Sequence, residues 1–285
     1  MNEIFIINST ADSNEFEVAL QDGRYTQKLL QKTFHNQRNG DSEFLGFNDQ
    51  EMIYYYINRH KNLFRGEESL SDKTKRSYYY TLTKFYTIAK EILVRDAIVS
   101  EPTPSNLFQY LDGRHVLLYL EMLKQLPSDR TKRPFANSSI STYGTIVKAF
   151  LDWLYSVQYI KKDLTASFPS LSISDEDRPN RDLRISEVRF ILDQLKETNI
   201  YAYAIILCLA TTGLRVAAVA NIRMENITLE PIEGKEYYIV KVKEKGSKIR
   251  HAVIDPSLFR EMIKPKIRRR ESTDIGSGAS GYLFS

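Results

Sequence analysis

The chain has 285 residues, 42% of them hydrophobic and 27% charged, with a formal net charge of +4 and pI near 8.9, which is ample material for a core and suggests two domains. It has no long apolar run, its polar amino terminus MNEIFIINSTADSNEF has no basic stretch leading into an apolar one, and its single cysteine, Cys208, has no partner. Neither a membrane span, a secretory signal nor a disulfide framework is therefore expected, and the reading is a cytoplasmic protein in a reducing compartment.

His35, His60, His115 and His251 are scattered without metal-ligand spacing, so no metal and no small-molecule cofactor is implied. The balance of 40 basic to 36 acidic residues is too even to argue for nucleic acid, but the basic ones cluster in DKTKRSYYYTLTK, SDRTKRP, KVKEKGSKIR and KPKIRRR. Their placement on a fold decides what they mean.

In chain order, residues 1–47 form a polar amino-terminal segment to which no role is assigned, with a helical pattern only in VALQDGRYTQKLLQKTF. NDQEMIYYYINRHKNLF is a capped, aromatic-rich helix. Ser71 caps the next, in which Leu82, Phe85, Tyr86, Ala89 and Leu93 make one apolar face and leave Lys73, Lys75, Arg76, Lys84 and Lys90 for the others. After the breaker EPTPSN comes LFQYLDGRHVLLYLEMLKQL, interrupted near Gly113, and then a helix with Tyr143, Val147, Phe150, Leu151 and Leu154 on one stripe. Residues 48–165 thus read as a small helical bundle, and 166–184, rich in Ser, Asp and Pro, as a linker.

The second domain, 185–285, opens with a helix capped by Ser186 that turns Val188, Ile191, Leu192 and Leu195 inward. YAYAIILCLATTG follows, apolar on nearly every side, as a helix through the middle of a domain would be. Gly213 supplies its left-handed stop, so Arg215 is launched from a rigid support at the start of a second short helix. YYIVKVK and KIRHAVI alternate as strands joined through EKGS into a hairpin. Pro256 opens a last helix that Pro265 should stop or kink, before the Gly- and Ser-rich ESTDIGSGASGYLFS.

From Ser71 onward the chain resembles the tyrosine recombinase (phage integrase) family. Ser71, Thr74, Tyr78, Leu82 and Phe85 stand at that family's helical positions, TTGLR matches its TGLR, and KGSK with Arg250 resembles its KGxKxR turn. The resemblance implies a mainly α fold with a small β-sheet: a helical, SAM-like core-binding domain, then a mixed α+β catalytic-type domain. It gives Arg215 the role of first catalytic arginine and Lys245 that of the lysine protonating the leaving hydroxyl.

The departures are specific. Ala218 stands where the family has an acidic residue, and the family's His or Lys, the second Arg three residues later, the further His or Trp and the nucleophilic Tyr do not appear. GYLFS looks like the strand before the second Arg motif, so Tyr282 falls too early to be the nucleophile. The preferred reading is therefore a catalytically inactive, repressor-like transcription regulator of a phage or mobile element. The alternatives are a truncated recombinase of DNA integration and, outside DNA biology, a helical interaction scaffold, which leaves TTGLR and KGSK unexplained.

Double-stranded DNA is the implied partner, clamped by the two domains through Lys73, Lys75, Arg76, Ser139, Lys148, Arg215, Lys245, Lys248 and Arg250. Arg268, Arg269 and Arg270 read equally well as a backbone contact or a solvated helix end. Self-association on DNA is left open, but the terminal element that family members exchange between neighbours has no counterpart in the sequence, which argues against cooperative assembly.

Overall fold

The computed structural model describes residues 23–59, 70–127, 132–170, 172, 182–244, 248–272 and 281–284, with side chains beyond 265 described only at 281–284. Lys245, the side chains of Arg268, Arg269 and Arg270, and most of the expected linker lie outside the described residues. The chain divides into two compact units, Met1–Pro179 and Asn180–Ser285.

In the first unit, α1 (Gly23–Arg38) and α2 (Asp49–Asn58) are joined by a loop that Asn36 closes, its side-chain amide donating to the carbonyls of Glu43 and Leu45. Asn48 and Glu51 form a reciprocal capping box at the start of α2, and Lys32 ties α1 to it through Glu51 at 2.8 Å. Ser71 caps α3 (Asp72–Arg95) by accepting from the Thr74 amide. Asp112 caps α4 (Gly113–Gln125), and α5 (Asn137–Ser156) completes the bundle.

The core of this unit is strongly aromatic: Tyr56, Phe85, Phe108, Tyr119 and Phe150 are all fully buried, and Phe85 meets Tyr119 edge-on at 4.9 Å. The helical unit takes in more chain than the 48–165 expected from periodicity. Leu29 on α1, Phe44, Phe47 and Phe168 all join its core. Leu29 comes from the one stretch of the amino-terminal segment with a helical pattern, whereas Phe44, Phe47 and Phe168 lie in loops, where no period marks them.

In the second unit, α6 (Ile185–Thr198), α7 (Ile200–Thr212) and the short α8 (Val216–Ala220) precede a three-stranded antiparallel sheet, and α9 (Pro256–Ser272) follows it. The strands β1 (Ile227–Ile232), β2 (Lys235–Lys243) and β3 (Ile249–Ile254) lie in that order, with Val240 opposite both Ile227 and Ala252. Val240, Val242, Ala252 and Ile254 face a core shared with Leu207, Cys208, Val219, Phe259 and Met262.

Several expectations for this unit are corrected. Ser186 is not the cap of α6: the helix begins at Ile185, and Glu187 reaches back to the Arg184 amide at 2.7 Å. Val188, Ile191, Leu192 and Leu195 are only half-buried. α7 is packed by α6, α8, α9 and β3, as expected of a helix through the middle of the unit, but only Tyr203, Ala204, Leu207 and Cys208 are fully buried along it. Pro265 does not stop α9, which continues to Ser272. Proline removes one backbone donor, and the apolar face of Phe259, Met262 and Ile263 holds the helix in place through that loss.

Among the described residues no helix is long and apolar enough to cross a membrane, and no group of three metal-ligating side chains is found.

Candidate nucleic-acid interface

The site is built outward from the end of α7. Thr212 folds its hydroxyl back to the Cys208 carbonyl at 2.6 Å, and Gly213 ends the helix in the left-handed region at φ +61° with its amide bonded to Leu209. Leu214 is buried in the core. The backbone around Arg215 is therefore fixed on both sides, and Arg215 takes the N-cap position of α8 with its side chain 67% exposed.

Two further side chains converge there from the hairpin. Arg215 Nη1 is ion-paired with Glu244 Oε2, and the Glu244 side chain is only 10% exposed. Arg250, 47% exposed, has its Nη1 3.8 Å from the other carboxylate oxygen and donates to the Gly213 carbonyl at 3.3 Å. At 3.8 Å the contact is an ion pair and too long for a hydrogen bond, so Glu244 Oε1 is buried without a donor. The Glu244 amide bonds to the Lys248 carbonyl at 2.8 Å and closes the base of the hairpin.

Glu244 is the residue that reading the sequence missed. The carboxylate expected at position 218 is replaced by Ala218, which is 4% exposed and packed in the core, and the acid arrives from a different element. Strand alternation carries the signal: Val240 and Val242 face inward at period two on β2 and Glu244 continues that spacing one residue past its end, as Arg250, Ala252 and Ile254 share one face of β3.

In the first unit, Lys73 and Arg76 are both exposed on the opening turns of α3, whereas Lys75 is half-buried and donates to Asn58 on α2 at 3.1 Å. Ser139 and Lys148 lie nine positions apart on α5 (148 minus 139), which at about 100° per residue sets them on opposite faces of that helix, so they do not form one surface. Ser139 is half-buried, while Lys148 is exposed, beside the Phe168 ring and close enough to Asp163 to help hold that carboxyl low, after its bonds to Thr165.

In the second unit Lys248 is exposed. Tyr282 forms a backbone bridge with Arg223, whose guanidinium donates to the phenol at 3.4 Å and lies 5.1 Å from its ring.

No protein-family profile matches this chain, and no curated protein does. Seventeen solved chains do match. The XerH site-specific recombinase bound to palindromic difH substrate, in a post-cleavage complex, is 15% identical with a TM-score of 0.54, over 75% of this chain and 56% of that one. A XerH pre-cleavage complex with difH substrate gives 14%, 0.47, 75% and 57% respectively, and the XerA recombinase 16%, 0.27, 82% and 68%. The chain thus spans a little over half the length of the XerH chains. The first likeness shows the fold: mainly helical with a small antiparallel sheet, a fold shared with the XerH site-specific recombinase.

Proposed function

We propose that this chain binds duplex DNA and that Arg215 grips a backbone phosphate. The observation that carries the reading is an exposed guanidinium on an unusually fixed support, between the left-handed Gly213 and the start of α8, within a fold shared with a recombinase bound to its difH substrate. A planar cation held in place can meet two non-bridging oxygens at once, and an anchored one loses little freedom on doing so. Lys73, Arg76, Lys148 and Lys248 are exposed and suit the surrounding backbone contacts, Lys75 and Ser139 less so because both are half-buried. Such a ligand makes the cytoplasm the place of action.

Within this reading the chain acts as a repressor-like regulator and performs no strand exchange. One feature supports inactivity: the phenol of Tyr282 is engaged by Arg223. The test is direct. Fluorescence anisotropy with a duplex should give affinity that falls steeply as salt rises, with a slope of about 0.9 per phosphate neutralised. Affinity indifferent to salt would sink the DNA reading. A nicked suicide duplex should yield no covalent adduct, and an adduct mapped to any tyrosine of this chain would replace the regulator with a recombinase.

A further inference from the structure

We infer that Glu244 is a positioning residue that couples Arg215 and Arg250 into one two-guanidinium fork for a single backbone phosphate. The inference rests on the DNA-binding reading and deepens it. Its basis is a contrast in burial: the carboxylate is 10% exposed, while the arginines on either side of it are 67% and 47% exposed. The acid therefore lies behind, and the cations in front.

The donors divide accordingly. Among the described residues, Arg215 uses Nη1 on Glu244, and Arg250 uses Nη1 on the Gly213 carbonyl and toward Glu244, so these bonds leave Nε and Nη2 of both guanidiniums for a ligand. Each arginine is also fixed independently of DNA. Arg215 is held by its backbone between Gly213 and α8, and Arg250 by the carbonyl at the C-terminus of α7, where the helix dipole favours a cation. Two cations and one carboxylate leave a net charge of about +1, which matches the single negative charge of a phosphodiester. Without the carboxylate, the two guanidiniums would repel each other at short range and separate.

A competing role gives the opposite sign. If Glu244 occupied the place of the phosphate as a plug, its removal would free both arginines and strengthen binding. The same follows from simple electrostatics, since a lost negative charge favours a polyanion. Positioning predicts the reverse.

The experiment measures duplex affinity and salt slope by anisotropy for the full chain and for Glu244→Gln, Glu244→Asp, Arg215→Gln, Arg250→Gln and the double Arg variant, with folding checked by circular dichroism. We expect Glu244→Gln to weaken binding about fivefold or more, and Glu244→Asp, which keeps the charge, to recover part of the loss. Arg215→Gln and Arg250→Gln should be non-additive in the Glu244 background and additive with Gln at that position. If Glu244→Gln fails to fold, the Arg215–Arg250 cycle in the otherwise native chain decides alone. Tighter or unchanged binding by a folded Glu244→Gln, or additive Arg losses in the native background, would overturn the fork and leave DNA binding standing. Failure of the native chain to bind duplex at all would overturn the DNA reading, and the fork with it.

Discussion

Asp49 sits in the first turn of α2, 1% exposed, with the Tyr159 hydroxyl donating to one carboxylate oxygen at 2.8 Å and the Phe108 amide to the other at 3.1 Å. Burial pushes its pKa up to about 7, against those two hydrogen bonds, which pull it down. A folded value above the unfolded one means that the folded state binds the extra proton, so the stabilisation is complete below about pH 4 and is lost as pH rises to about 7. Wild type should therefore lose stability relative to Asp49→Asn between those pH values, by on the order of a few kcal/mol. Chemical denaturation of both proteins across that range checks it, and a constant difference would show that the carboxyl titrates normally. Cys208 poses a related question of reactivity: it is fully buried, and burial pushes its thiol up to about 11, with the neighbouring Thr212 hydroxyl acting the other way. Alkylation needs the thiolate, so iodoacetamide should label Cys208 at neutral pH only as fast as the second unit opens. Rapid labelling of the folded chain would contradict the packing seen around α7.

The stop at the end of α7 depends on Gly213. A Cβ added there would meet only Arg250 Nη2, at 3.9 Å, which is ordinary contact, so the cost of Gly213→Ala comes from the positive φ of +61° alone. That amounts to about 1 kcal/mol, visible as a lowered denaturation midpoint, with a smaller loss of DNA affinity than Arg215→Gln causes. This element was legible in the sequence because glycine after an apolar helix has one dominant structural use, and the Ser71 cap and the β2–β3 hairpin were legible for similar local reasons. β1 was not. Pro231 interrupts its pattern, yet proline is tolerated because β1 is an edge strand with a partner on one side only, and the Glu233–Gly234 turn that joins it to β2, with φ of 48° and 78°, lacks the usual Asn or Asp. The site was half legible. Arg215 follows from local spacing, but the Arg215–Glu244 pairing depends on how α8 and the hairpin pack together, which no single stretch of sequence encodes.

At the scale of the whole molecule, a net charge of +4 is too small to hold DNA by overall attraction, so the proposed binding rests on where cations are concentrated. The two units carry separate candidates: Lys73, Arg76 and Lys148 on the first, Arg215, Lys248 and Arg250 on the second. If both units hold the same duplex, Lys73→Gln and Lys148→Gln should each lower the salt slope by about 0.9, and each should add to the effect of Arg215→Gln, since side chains with no shared partner couple weakly. Arg215→Gln and Arg250→Gln should behave differently, because two guanidiniums on one phosphate release counterions once. Their joint effect on the slope should be near 0.9 and not near 1.8. The slopes therefore count phosphates, which affinities alone cannot do. A slope unchanged by Lys73→Gln and Lys148→Gln, with the Arg effects intact, would confine the interface to the second unit and make the helical bundle a support for something other than the duplex.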